Sequence, residues 1–229
     1  MITAKAVLFD LDGTLTDHER AMAQALDEWC VELGMPTGQH QRFRDIELKW
    51  FHRFERGEIS HQDQRIGRTR EFTGRTSISD AAATELFADY LAAYEKHWQA
   101  YPDAVACVQR ALDAGLKVGI LTNGRADMQA GKMRAGGVDL PGVELFATVD
   151  MGTPKPQPGA YHRACAALGV DPADTVMIGD NWPNDVAGAR AAGLRAVYIP
   201  RDNLQDPATP PSAAAEAISS LDELTFRLG

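Results

Sequence analysis

Cysteine is scarce. Cys30, Cys107 and Cys165 are the only three in 229 residues, they stand far apart, and no CxxC pair occurs. That pattern argues against a disulfide scaffold and reads as reduced thiols in a cytoplasmic protein. Long hydrophobic runs are missing as well, and the longest falls far short of a membrane span. The first residues carry one early lysine and then acids by position 10, unlike a signal peptide. A basic excess is absent: 23 Lys and Arg face 32 Asp and Glu, a net charge of −9. The expected partner is therefore neither a nucleic-acid polymer nor a membrane. The six histidines show no metal-ligand spacing, and no internal repeat is visible.

What is present is a series of short apolar runs: residues 6–9, 116–121 ("LKVGIL"), 145–149, 175–178 ("TVMI") and 196–199 ("AVYI"). They are rich in Val, Ile and Leu without polar alternation, as strands buried on both faces should be. Helical stretches at 103–114, 157–168 and 184–192 each run up to a glycine, a common helix stop. Strands alternating with single helices predict an α/β fold with a doubly wound, Rossmann-like parallel sheet. A last helix is expected from Ser220, where Ser220 and Glu223 have capping-box spacing.

Residues 17–100 interrupt this rhythm. They hold no convincing strand, and amphipathic patterns predict helices at 17–33, 39–56, 60–73 and 79–98. The expected organisation is a core domain of residues 1–16 and 101–229 with an inserted all-helical cap domain of residues 17–100.

In a parallel sheet, ligands sit beyond the carboxyl ends of the strands. Asp10, Asp12, Gly13 and Thr14 follow the first run, and Thr122, Asn123 and Gly124 follow the second. Lys155 follows the third, and Asp180 and Asp185 follow the fourth. Four carboxylates on one rim would repel one another. A hard cation such as Mg²⁺ relieves that repulsion while keeping water and a phosphate in its shell. The blander reading of Asp10 and Asp12 is a turn with a helix cap, and of Asp185 a cap for the helix at 184–192.

"DLDGT" (10–14), "LTNG" (121–124), "KPQP" (155–158) and "GDNWPNDVAGA" (179–189) resemble, in order and spacing, the four motifs of the haloacid dehalogenase-like hydrolases, and residues 17–100 look like that superfamily's type 1 helical cap. The resemblance implies that Asp10 is a nucleophile giving an aspartyl-phosphate and that Asp12 is the general acid and base. It implies Mg²⁺ ligands at Asp10, the Asp12 carbonyl and Asp180, with Asp185 supporting them. Thr122, Asn123 and Gly124 match the phosphate-holding turn, and Lys155 the lysine that neutralises transition-state charge. The dehalogenase branch has another residue type in place of Asp12, so the resemblance points to a phosphatase of small phosphorylated metabolites. "LTNG" and "FERGEIS" (54–60) look similar to the nucleotidase and N-acylneuraminate-9-phosphatase branch, which puts nucleoside monophosphates and sugar phosphates first. A phosphomutase and a non-catalytic binding protein on the same core are the alternatives, and a monomer or homodimer is expected. Two stretches depart from the pattern: "YPDAV" (101–105) in place of the common Pro-Gly, and Asn181 with Trp182 and Pro183 where serine is common.

In the cap, residues 41–75 hold nine Arg or Lys against six Asp or Glu. That local excess suits an anionic substrate, although solvated helix faces with i,i+4 pairs give the same composition. Arg65 and Arg68, one turn apart, and His18, just after the first motif, are the substrate-contact candidates.

Overall fold

The computed structural model describes residues 1–201 and 216–229. They form two compact units, Met1–Asp17 with Gln99–Gly229, and His18–Trp98. Two strands open the chain, β1 (Ile2–Ala4) and β2 (Ala6–Phe9). Four helices make up the second unit: α1 (His18–Glu32), α2 (His40–Glu55), α3 (His61–Thr73) and α4 (Asp80–Glu95). The chain then alternates through α5 (Ala104–Asp113), β3 (Lys117–Thr122), α6 (Ala126–Gly136), β4 (Val143–Ala147), the single turn α7 (Thr148–Met151) and α8 (Pro158–Leu168). It ends with β5 (Thr175–Gly179), a π-helical stretch at Trp182–Gly188, the short turn α9 (Ala189–Ala191), β6 (Arg195–Tyr198), β7 (Glu216–Ala217) and β8 (Phe226–Leu228).

Six strands form one sheet in the order β4-β3-β2-β5-β6-β7, every neighbouring pair parallel. The chain runs outward from β2 to β4 and then returns to the other flank of β2. The carboxyl ends of β2, β3 and β5 therefore flank the point where the winding reverses, the usual place for a ligand crevice. The period of two along a strand splits β2 between two cores. Val7 and Phe9 join one cluster with Ala104, Val108 and Met133. Ala6 and Leu8 join the other with Ala160, Ala164 and Val186. All four residues are fully buried, which accounts for a strand with no polar position.

Three local expectations are corrected. The strand read at 145–149 lies at Val143–Ala147, because the Thr148 hydroxyl turns to Asn123 and the Val149 N–H to the Gly124 carbonyl, starting α7. The helix read at 184–192 is π-helical through Gly188, its entry set by the Asn181 side chain accepting from the Asn184 N–H. The Ser220 capping box forms but heads only one 3-10 turn, Leu221–Glu223. The Leu221 carbonyl is taken by Arg110, and β8 then pairs in parallel with β1. Helix α6 has no counterpart in the apolar pattern.

Asp103 is a hub of the first unit. Its carboxylate accepts from both terminal nitrogens of Arg201 at 2.7 and 2.9 Å, from the Ser220 hydroxyl at 2.9 Å and from the Leu221 N–H at 2.9 Å. Arg201 lies 4.1 Å over the Tyr101 ring and donates to the Thr14 carbonyl at 2.9 Å. The departure at "YPDAV" thus supplies an anchor for a distant arginine.

The second unit closes around aromatic residues. Trp29 stacks on Phe72 at 5.5 Å, and Phe43 meets Phe72 edge-on at 5.0 Å. Capping by Ser60, whose capping box with Asp63 is complete, and by Ser79 starts α3 and α4. Glu47 is buried and accepts from Arg68 at 2.6 Å, with Arg44 at 3.4 Å and His18 at 3.7 Å. Burial raises its carboxyl pKa, but Arg68, His18 and Arg44 outweigh that and hold it well below the usual carboxylate range.

Glu47→Gln leaves the buried Arg68 charge unpaired and is expected to destabilise the protein by about 3 kcal/mol, measured by urea unfolding. For Asp103, burial pushes the carboxyl up, but Arg201, the Leu221 N–H and Ser220 outweigh it and the pKa falls below its ordinary value. Its contribution is then present above the unfolded value, about 3.9, and lost as pH drops through the lower folded value. The stability gap between wild type and Asp103→Asn should be widest near neutrality and close below about pH 4. Thermal melts across that range check it.

Candidate active site

The carboxyl end of β2 delivers Asp10, whose N–H donates to the Ile178 carbonyl of β5 at 2.9 Å. This bond keeps the loop in register with the strand beside it. Asp10 is 6% exposed. Burial pushes its carboxyl pKa well up and the negative charges of Asp185 and Asp180 add to that, against the opposing Lys155. Gly13 follows with φ +85°, and a Cβ there would collide with the Asp180 carboxylate. Glycine at this position serves both the turn and the approach. The Thr14 hydroxyl bridges the two loops, donating to Asp180 Oδ1 at 2.9 Å and accepting from the Asp180 N–H at 3.0 Å.

Lys155 is 1% exposed, and its Nζ lies 2.7 Å from Asp10 Oδ1 and 2.7 Å from Asp185 Oδ1. Burial alone would lower its pKa, yet the two carboxylates more than reverse this and keep the ammonium charged. Asn123 fixes its backbone, with Oδ1 accepting from the Lys155 N–H at 2.8 Å and Nδ2 donating to the Lys155 carbonyl at 2.9 Å. The Asn123 side chain therefore positions Lys155, a use not foreseen in the sequence. Asp185 is fully buried and also accepts from the Asn181 N–H at 3.0 Å, which ties it to the start of the π-helical stretch.

Asp10, Asp180 and Asp185 offer carboxylate oxygens within 4.8 Å of one another. The donors are all hard oxygens, one carboxylate is buried against its charge, and Gly13 leaves room beside Asp180. The set fits a small divalent cation of the Mg²⁺ type.

Asp12 points along the same rim with 27% of its side chain exposed. Its oxygens lie 2.7 Å from Lys132 Nζ, one is 2.9 Å from Gln129 Nε2, and Thr16 Oγ1 is 3.2 Å away. Gln129 also donates to the hydroxyl of Thr122, which is 2% exposed at the end of β3. A Cβ on Gly124 would lie 2.6 Å from Gln129 Cδ, so this glycine makes room for the glutamine. Gln129 and Lys132 were missed in the sequence. The signal available was their spacing of three on a helix leaving a motif-bearing strand, which puts both on one face.

The first unit thus gathers Asp10, Asp12, Thr122, Asn123, Gly124, Lys155, Asp180 and Asp185 at one sheet edge. The cap candidates are placed differently. Arg68 is 5% exposed and committed to Glu47 and Gln64, so its guanidinium is part of the fold of the helical unit. His18 Nδ1 lies 2.6 Å from the Tyr94 hydroxyl, and Arg65 lies 5.6 Å over the Phe87 ring.

Residues 4–193 match the haloacid dehalogenase-like hydrolase family. The chain is 37% identical over 106 residues to phosphoserine phosphatase of Thermus thermophilus, a match spanning 46% of this chain and 43% of that protein. It is 30% identical to glyceraldehyde 3-phosphate phosphatase of Methanopyrus kandleri over 88% of this chain and 86% of that one. Dehalogenases are also among its relatives, with 29% identity to (S)-2-haloacid dehalogenase 1 of Pseudomonas sp. over 98% of this chain and 97% of that one. Among solved structures, the HAD-hydrolase YfnB of Bacillus subtilis, bound to magnesium, superposes with a TM-score of 0.81 at 21% identity, over 97% of both chains. With the four motifs assembled at one sheet edge and the family match extending over most of its length, the chain belongs to the haloacid dehalogenase-like hydrolases.

Proposed function

We infer that the protein is a Mg²⁺-dependent phosphatase that hydrolyses small organic phosphate monoesters, with sugar phosphates and nucleoside monophosphates first among its substrates. Asp12 carries the reading. Expelling a halide from carbon needs no proton, whereas an alkoxide leaving from phosphorus does. A second acid placed two residues after the buried Asp10 therefore favours phosphate esters over haloacids. The relative that acts on glyceraldehyde 3-phosphate supports the same class.

Asp10 attacks phosphorus, and its Oδ–P bond forms as the bond to the ester oxygen breaks. Asp12 gives its proton to the departing alcohol. Lys155, charged and buried beside Asp10, faces the negative charge that builds on the phosphoryl oxygens. The Thr122 hydroxyl and the N–H groups of Asn123 and Gly124 hold those oxygens. Asp12, now a carboxylate, takes a proton from water as the water attacks the aspartyl-phosphate, and inorganic phosphate leaves with Asp10 restored. Asp10, the Asp12 carbonyl and Asp180, with Asp185 behind them, would hold Mg²⁺, which supplies charge neutralisation at the phosphate. The proposed setting is the cytoplasm, in keeping with three free, buried cysteines. A small phosphorylated metabolite is the expected partner.

Purified protein should release phosphate from 4-nitrophenyl phosphate with Mg²⁺ and stop when the metal is chelated. Asp10→Asn should lower kcat/KM by about 1,000-fold or more. Full activity in Asp10→Asn, or halide release from a 2-haloacid without phosphate release from any ester, overturns the reading.

A further inference from the structure

Helix α6 turns its polar residues inward. Gln129 is 1% and Lys132 3% exposed, alongside Met133 at 5%. A buried lysine needs a counter-charge, and Lys132 finds both oxygens of Asp12 at 2.7 Å. Gln129 uses one amide for Asp12 and for Thr122. A carboxylate offers about four acceptor directions. Lys132 reaches both oxygens, Gln129 one and Thr16 the other, and together these contacts restrain the rotation of the Asp12 side chain. Exposure is asymmetric: Lys132 keeps 4% of its side chain open and Asp12 27%. The lysine supports the carboxylate from behind, and the open part of Asp12 is left for a substrate.

We propose that Lys132, with Gln129, is a positioning residue that aims Asp12 at the ester oxygen and ties it to the phosphate-holding Thr122. This rests on the phosphatase reading above. Lys132 touches neither phosphorus nor the leaving group, so its effect passes through proton delivery alone. It follows that the pair matters most for esters of aliphatic alcohols, whose alkoxides cannot leave unprotonated. It matters least for 2,4-dinitrophenyl phosphate, whose phenolate leaves unaided. The substrates that need this pair are alkyl phosphates.

The test compares kcat/KM for glycerol 3-phosphate and for 2,4-dinitrophenyl phosphate in wild type, Lys132→Met, Lys132→Gln and Lys132→Arg. Both constants come from one preparation, so their ratio is independent of the folded fraction. If Lys132→Met does not fold, the neutral but hydrogen-bonding Lys132→Gln gives the same reading. In the neutral variants the alkyl-to-aryl ratio should fall by about 100-fold, the usual weight of a misaligned acid. Lys132→Arg should recover most of it. Equal losses on both substrates, no loss on either, or a gain on the alkyl ester would overturn the proposal while leaving the phosphatase reading intact. Failure of wild-type protein to release phosphate from either ester would overturn both.

Discussion

The ammonium of Lys155, buried between Asp10 and Asp185, is the interaction on which the rest of the site depends. Three carboxylates within 4.8 Å repel one another, and burial makes each charge harder to hold. Lys155 contacts two of them at 2.7 Å and is itself buried. Removing one member of such a cluster leaves uncompensated charge in a low-dielectric setting, so the group stands or falls together. The fold explains how it is maintained. Asp10 leaves β2 and Asp185 sits in the π-helical stretch after β5, while the Lys155 backbone is clamped by Asn123 at the end of β3. Three adjacent strands therefore fix one charge triad.

That arrangement follows from the winding of the sheet. Because β2 lies between β3 and β5, residues leaving all three strands share one edge. The same apolar alternation that divides Val7 and Phe9 from Ala6 and Leu8 buries β2 on both faces, so Asp10 emerges from a rigid strand. The bridge from Thr14 to Asp180 and the donation from Arg201 to the Thr14 carbonyl brace the loop that follows. The charged groups of Asp10, Lys155 and Asp180 thus sit on short loops that buried strands anchor and side-chain hydrogen bonds brace.

Legibility in the sequence divided along physical lines. The buried strands were readable because Val, Ile and Leu without alternation have few other fates, and the motif residues because charge at the end of such a strand is costly. The helices α1 to α4 were readable from amphipathic periodicity. Helix α6 was not, because the face it buries is made of Gln129 and Lys132 as much as Met133, and a pattern search assumes an apolar inner face. Arg68 shows the converse. Its composition suited an anionic ligand, yet Glu47 and the rings of Phe43 and Phe87 occupy it. The Ser220 capping box forms as its spacing implies but starts one 3-10 turn in place of the expected last helix, since side-chain caps report where a turn begins and tertiary partners decide how far it goes.

The two acids of the first motif differ in a way their spacing alone does not show. Asp10 keeps 9% of its side chain exposed and is held by the fully buried Lys155, whereas Asp12 keeps 27% and is held by a lysine on another helix. A nucleophile gains from fixed geometry and from exclusion of water, because each raises the share of encounters in attacking position. On the proposed roles, the proton donor has a second requirement, since it must reach first the departing alcohol and then the attacking water. One buried and one half-open carboxylate, two residues apart on one loop, meet both needs. The separate lysines let each acid be held without sharing a counter-charge. Had one lysine served both, movement of a proton on Asp12 would have altered the charge beside Asp10 as well. Under the proposed mechanism, dividing the support between Lys155 and Lys132 keeps attack and proton transfer separable on a single turn of chain.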